Sequence, residues 1–277
     1  MLDSILEMLK NLARRFSSFT NSFTTGVWAI PAPEKKARGG EDAYLTNSKL
    51  IAIADGVGGW AEMGINPAKY AWELMNNVEK AFSSLSEDQK YYPQEVMKQA
   101  ADSCKETGSS TCSIAVLHPE KSQLLTANIG DSGFYLYRKE GDKVELVGKS
   151  EEVLHSFNFP YQLGTHGDST KEASLANFEV KDKDLVVMYT DGISDNVYQE
   201  QIYKLIKPFM LLPEIPDLEI VAEMIAEKAQ QQSSDKDFES PFAVSASKSG
   251  FKWQGGKPDD ITVIVAQVHI KKLEDLS

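Results

Sequence analysis

Apolar positions in this chain come in two forms, short unbroken runs and stripes of helical spacing, and the two alternate. The run Lys49–Ala54 (KLIAIA) halts at Asp55-Gly56, as a strand buried on both faces would. Asn66–Phe82 sets Tyr70, Leu74, Val78 and Phe82 on one stripe behind Pro67, which predicts a helix opening at that proline. Pro93–Ala101 reads as a second helix. Thr111–Leu117, Gln123–Ile129 and Phe134–Arg138 read as successive strands, with Gly130-Asp131-Ser132-Gly133 as a hairpin turn between the last two. Leu185–Tyr189 (LVVMY) is a further strand, ended by Thr190-Asp191-Gly192. Helical patterns follow at Gln199–Ile206 and Leu218–Gln231, and the β-branched run Ile261–His269 closes the series behind Pro258-Asp259-Asp260. Strand runs separated by helix pairs predict sheets covered by helices, a layered α+β domain. No repeat, low-complexity tract or linker divides it.

The amino terminus stands apart. Leu2, Ile5, Leu6, Leu9, Leu12, Ala13 and Phe16 recur at helical spacing, and Arg14-Arg15 precede a Ser/Thr/Phe stretch. Residues 1–23 therefore read as an amphipathic helix, fitting either a mitochondrial targeting segment or a helix at the edge of the domain. Asp3 and Glu7 count against targeting, since such leaders are poor in acids.

Composition narrows the chemistry. The chain has 277 residues, 42% hydrophobic and 25% charged, with a formal net charge of −12. That charge argues against binding to nucleic acid, which needs Lys and Arg facing phosphates. Two cysteines and four histidines occur without a C-x-x-C or H-E-x-x-H pattern, so neither a disulfide framework nor a thiolate zinc site is supported. No apolar run reaches the length of a bilayer span.

The positions of the acids carry more. Asp55 and Asp191 each follow an apolar strand and precede a glycine, and Asp259 directly precedes the last strand. Asp131 lies between two strands, and Glu41-Asp42 open the extended segment Ala43–Thr46. Acids at strand ends gather on one edge of a sheet, where hard divalent cations find oxygen ligands. Any single Asp-Gly is better read as a turn. Gly-Val-Gly-Gly after Asp55 lacks the G-K-[ST] of a phosphate loop, and no D-x-D-x-D-G calcium loop occurs.

In order along the chain, six motifs resemble those of the type 2C family of metal-dependent protein serine/threonine phosphatases. They are Glu41-Asp42-Ala43, Ala54-Asp55-Gly56-Val57-Gly58-Gly59, Gly108-Ser109-Ser110-Thr111, Gly130-Asp131-Ser132, Thr190-Asp191-Gly192 and Asp259-Asp260-Ile261-Thr262-Val263. The resemblance covers roughly residues 24 to 270. The stretches Gly58-Gly59-Trp60, Asn128–Phe134, Phe157–Leu163, Ser240–Ala243 and Gly255–Asp260 resemble its mitochondrial branch in particular. The resemblance implies a four-layer αββα sandwich of two antiparallel sheets flanked by helix pairs, with 24–277 as the catalytic domain. It implies a monomer acting on phosphoprotein substrates, located in mitochondria or otherwise the cytoplasm. By matching positions, Asp55 would bridge two Mn²⁺ or Mg²⁺ ions. Glu41 and the Gly56 carbonyl would complete one ion, and Asp191 with Asp259 the other. Asp42 would hold metal-bound water, Asp131 would serve a third, weaker metal, and Asp260 would stand behind the ligands. A hydroxide bridging ions ~3.5–4 Å apart would attack phosphorus in line, so no Ser–His or Cys–His nucleophile is needed.

Two departures qualify the match. The family's Asp-Gly-His-Gly-Gly reads Asp55-Gly56-Val57-Gly58-Gly59 here, as in the mitochondrial branch, which removes a proposed general acid and leaves metal-bound water as the substitute. The family's phosphate-binding Arg has Ala37 at its spacing, with Arg38 one place closer to Glu41 and Lys35 and Lys36 beside it. Arg38 is the first candidate phosphate ligand, since a guanidinium suits phosphate, with Lys36 or Lys35 as alternatives and a solvated basic loop as the bland reading. The polar stretch Glu151–Ser174 lies where the family carries a substrate-facing flap; His155 and His166 within it read as surface histidines. The rival reading is a catalytically weak or dead phosphatase-fold binding module, against which the retained Glu41, Asp55, Asp191 and Asp259 argue.

Overall fold

The computed structural model describes residues 20–270 and arranges them around two antiparallel five-stranded sheets. The main strands are β1 (Ser22–Ile30), β2 (Asp42–Thr46), β3 (Leu50–Asp55), β4 (Cys112–Leu117), β5 (Gln123–Ile129), β6 (Gly133–Glu140), β7 (Lys143–Lys149), β8 (Ser174–Glu179), β9 (Leu185–Tyr189) and β10 (Ile261–His269). One sheet runs β1–β10–β9–β6–β7 and the other β8–β5–β4–β3–β2. The helices are α1 (Pro67–Ser84), α2 (Pro93–Asp102), α3 (Asp191–Ser194), α4 (Gln199–Leu211), α5 (Leu218–Ser233) and α6 (Pro241–Lys248). Of the helix expected over residues 1–23, residues 1–19 lie outside the described residues, while Ser22 and Phe23 open β1 instead, paired with β10.

The pleat explains the layering. Successive side chains leave opposite faces of a strand. In β3, Leu50, Ala52 and Ala54 join an apolar cluster with Leu74, Val78 and Met97 of α1 and α2, while Ile51 and Ile53 join Phe134, Met188 and Ile264 between the sheets. In β10, Ile261, Val263 and Val265 meet Ile206, Val221 and Ile225 of α4 and α5, and Ile264, Ala266 and Val268 face the other sheet. Each central run therefore feeds two cores at once, at about 1.5–3 kcal/mol per large side chain removed from water. The result is the expected αββα sandwich, whose three cores lie between its four layers. Helix α1 begins where Pro67 predicts, with Asn66 Oδ1 accepting from Ala68 N–H at 3.1 Å.

The expected hairpin does not form. Strand β5 is paired on both edges, by β4 and β8, so it has no free edge to offer β6. Residues Gly130–Ser132 instead carry the chain across to the other sheet, where β6 pairs with β9 and β7. Gly130 makes the crossing at φ +95°, with the Thr111 side chain against its Cα.

The stretch Glu151–Ser174 is ordered by short pairings, Leu154–Ser156 with Phe159–Pro160 and Leu163–Gly164 with Ser109–Ser110. His155 stacks on Tyr161 with ring centroids 3.7 Å apart, and its Nε2 lies 3.0 Å from Asp168 Oδ1. That accounts for His155 structurally.

Candidate metal centre

In the β2–β3 hairpin Asp42 stands directly opposite Asp55. Opposed side chains share one face at close range, so two carboxylates placed this way repel unless a cation intervenes. Asp55 closes β3, its N–H donating to Thr111 Oγ1 at 3.0 Å and its carbonyl accepting from Thr111 N–H at 3.0 Å. Burial, then the charges of Asp42, Asp191, Asp259 and Asp131, push its carboxyl well above the usual range. Gly56 follows, with its N–H donating to Glu41 O at 3.1 Å. A Cβ there would lie 2.8 Å from the Glu41 and Pro67 carbonyl oxygens, so the close approach requires glycine.

Asp42 joins the two sheets. Its Oδ2 accepts from Thr190 Oγ1 at 2.9 Å and Thr262 Oγ1 at 2.6 Å, while its Oδ1 is buried without a hydrogen-bond partner. Burial and the charge of Asp260 push Asp42 up to about 8. Asp191 follows β9 and opens α3, and Asp131 lies in the crossing between β5 and β6. Burial and the Asp191 charge push Asp131 up to about 7. Asp259 precedes β10 and is raised by burial and by Asp191. Next to it, buried Asp260 accepts from Ala32 N–H and Glu41 N–H, both at 2.8 Å, which fixes the approach to Glu41. Glu41 is 1% exposed.

Two lysines stand among these acids. Lys257 Nζ is 2.5 Å from Asp191 Oδ2, 2.6 Å from Asp195 Oδ2 and 3.6 Å from Asp259 Oδ2. Lys35 Nζ is 2.8 Å from Glu41 Oε2, an ion pair without hydrogen-bond alignment, and 3.0 Å and 3.2 Å from Asp259 and Asp260. Burial opposes the charge on both, and the carboxylates outweigh it, holding both ammonium groups above their usual range. Burial likewise opposes ionisation of Asp191, but the Lys257 ammonium beside it brings it below its usual value. Arg38 is looser: its Nη2 is 3.5 Å from Glu41 Oε1 and its side chain is 46% exposed.

The structure thus brings Glu41, Asp42, Asp55, Gly56, Asp131, Asp191 and Asp259 to one end of the sandwich, with Arg38 at the rim. As the side chains stand, no three acidic, His or Cys residues among the described ones close on a common point as a ready ligand set. Their chemistry nevertheless fits a hard divalent cation. The donors are oxygens, the lysines already neutralise them, and Asp42 Oδ1 and Asp191 Oδ1 are buried without partners. Asp195, Thr190, Thr262 and the role of Lys257 were not foreseen from the sequence. Lys257 lies in the motif Gly255–Asp260, but its two nearest acids, Asp191 and Asp195, come from more than sixty positions away in the chain.

A family model described as Stage II sporulation protein E (SpoIIE) matches residues 49–269. Among curated proteins, Probable protein phosphatase 2C 80 of Arabidopsis thaliana is 38% identical over 248 residues, 88% of this chain. The chain belongs to the type 2C protein phosphatase family. It spans 58% of that relative's length. A solved structure described as the photosystem II phosphatase PBCP is similar to this type 2C family member with a TM-score of 0.80 and 32% identity, covering 90% of this chain and 99% of that one. The catalytic domain of serine threonine protein phosphatase PstP, in complex with 2 manganese ions, shares the fold at a TM-score of 0.59 and 18% identity, covering 90% and 100% of the two chains. Among the described residues no helix is long and apolar enough to cross a membrane.

Proposed function

We propose that this chain is a serine/threonine-specific protein phosphatase, acting as a monomer, that uses two divalent cations held by Asp55, Glu41, the Gly56 carbonyl, Asp191 and Asp259. The observation that carries the reading is the convergence of buried, mutually repelling carboxylates from both sheets, two of them with unpartnered oxygens. Bound there, Mn²⁺ or Mg²⁺ would acidify water, neutralise the phosphoryl oxygens and orient the ester. Manganese in the related PstP fold agrees with that donor set.

The remaining work falls to the chain. Asp55, which feels the charge of four other acids, would be the carboxylate held in common by both cations. Asp42, fixed by Thr190 and Thr262, presents Oδ1 inward to hold attacking water. By its match to the family position Asp131 would serve a weaker third cation, and Arg38, half-exposed at the rim, would meet phosphate from outside. Hydrolysis breaks the bond between phosphorus and the leaving serine or threonine oxygen, which takes up a proton. Val57 cannot supply that proton, which would come from water held at the site. A mitochondrial site of action belongs to the same reading and rests on residues 1–23.

The test is phosphate release from a phosphothreonine peptide by wild type and Asp55→Asn, with Mn²⁺ and with EDTA. Wild type should turn over with Mn²⁺ alone, and the variant should lose roughly 10²-fold or more, as when a charge-stabilising group is removed. Folded wild type that releases no phosphate across Mn²⁺ and Mg²⁺ concentrations would sink the reading in favour of an inactive binding module.

A further inference from the structure

Beside the acids lies an aromatic surface that the chemistry above does not use. Phe242 of α6 is its centre and is 6% exposed. Phe157, from the Glu151–Ser174 stretch, lies 5.2 Å away between ring centroids, and Trp253 meets Phe242 edge-on at 5.1 Å. Phe251 stacks on Phe157 at 5.3 Å. The outer rings face water, Phe251 59% and Trp253 46% exposed. Large aromatic groups left in water next to a polar site mark a surface kept for a partner.

Three further observations say what covers it. First, the platform is joined to the acids. Lys257 Nζ lies 5.1 Å from the centre of the Phe242 ring and 2.5 Å from Asp191 Oδ2. An extended peptide rises ~3.3 Å per residue, so a chain whose phosphorylated side chain reached Asp191 would lay a residue two to four positions away over the rings. Second, the platform is held rigidly to the element bearing Asp191. Phe242 N–H donates to Asp195 O at 3.0 Å, Ser240 Oγ donates to Gly255 O at 2.7 Å, and Asn196 exchanges hydrogen bonds with the Lys257 backbone at 2.8 and 2.9 Å. Third, in a chain of net charge −12, residues 241–257 carry Lys248, Lys252 and Lys257 and no acid. Both neighbouring lysines, Lys248 and Lys252, are exposed. The surface is therefore apolar, with exposed Lys248 and Lys252 in the same segment, and suits a phosphopeptide that bears a bulky apolar side chain.

We infer that Phe157, Phe242, Phe251 and Trp253 form a specificity subsite that selects phosphopeptides with an aromatic or large aliphatic residue two to four positions from the phosphorylated one. This rests on the phosphatase reading, and the test separates the two. Turnover of p-nitrophenyl phosphate, too small to reach the rings, reports the reaction centre alone. A phosphothreonine peptide series, all alanine except for one Phe moved through the flanking positions, reports the subsite, as does the Phe251→Ala/Trp253→Ala double variant. Both exposed rings can be removed with little risk to folding.

With Mn²⁺, wild type should favour one or two Phe placements by roughly tenfold or more in kcat/KM, the equivalent of burying one large side chain, chiefly through KM. The double variant should lose that preference and keep its p-nitrophenyl phosphate rate. Equal kcat/KM for every peptide, or a preference that survives in the double variant, overturns the subsite. If no substrate turns over, fluorescence polarisation of labelled peptides still decides it, since the favoured placement must bind wild type more tightly than the double variant. Aromatic groups with lysines in the same segment also suit an anionic membrane. Binding to phosphatidylserine vesicles abolished in the double variant, with peptide preference unchanged, would assign the surface to lipid and overturn the inference.

Discussion

Asp260 accepts hydrogen bonds from two backbone amides, Ala32 N–H and Glu41 N–H, both at 2.8 Å and both buried. Neither donor has water to fall back on, and a buried donor left unpaired costs about 1–3 kcal/mol. Truncation also removes a charge that pushes Asp42 upward, which relieves strain among the acids. Comparing Asp260→Ala with Asp260→Asn separates the two effects, because both lose the charge and only Asn keeps an acceptor. Urea unfolding should place the Ala variant about 1–2 kcal/mol below the Asn variant. Equal stabilities would mean that the one acceptor Asn keeps is offset by its NH2 facing the second amide, or that neither amide depends on Asp260. The same residue scale explains why Arg38 and Lys35 part company. Three positions apart across the 3-10 turn Lys36–Arg38, Lys35 is drawn in among three carboxylates while Arg38 stays at the rim.

At the scale of elements, the crossing from β5 to β6 both moves the chain between sheets and delivers Asp131. Gly130 holds φ +95°, and a Cβ there would lie 2.6 Å from Thr111 Cγ2 and 2.9 Å from Tyr161 O. Gly130→Ala combines a left-handed backbone with contact against two segments that cannot both retreat. It should lower unfolding stability by about 2 kcal/mol or more, whereas a variant indistinguishable from wild type in urea would show that the crossing is slack. This crossing was misread as a hairpin because Gly-Asp-Ser-Gly between two apolar runs looks the same locally whether the strands pair or separate. Only the occupancy of both edges of β5 decides it. The central strands were legible, since burial on both faces leaves unbroken runs such as Leu185–Tyr189. The edge strands β1, β7 and β8 were not, because an edge strand such as Ser174-Leu-Ala-Asn-Phe-Glu alternates half-buried and exposed positions and so leaves no apolar run to mark it. The candidate acids were legible because each sits beside its own strand. The lysines were not: Lys35 meets Asp259 across 224 positions and Lys257 meets Asp191 across 66.

Over the whole molecule the net charge of −12 is concentrated in part at one end of the sandwich, where Lys35 and Lys257 stand among Glu41, Asp42, Asp55, Asp131, Asp191, Asp195, Asp259 and Asp260. Divalent ions and these lysines answer the same repulsion, so they compete in effect. Saturating the site at about a hundredfold excess over Kd adds ~2.7 kcal/mol. For a domain of this size that raises Tm by roughly 5–10 °C. Lys257→Met should be costly in EDTA, about 3 kcal/mol, because Asp191 and Asp195 lose the partner that holds them. With Mn²⁺ the cost should shrink, since the added ions take over neutralising Asp191 and its neighbours. Melting curves of both proteins in EDTA and in Mn²⁺ read this directly. A wild type whose Tm ignores Mn²⁺ would show that the acids do not take up cations. A variant penalty equal in both buffers would show instead that Lys257 is a fixed strut, which no cation relieves.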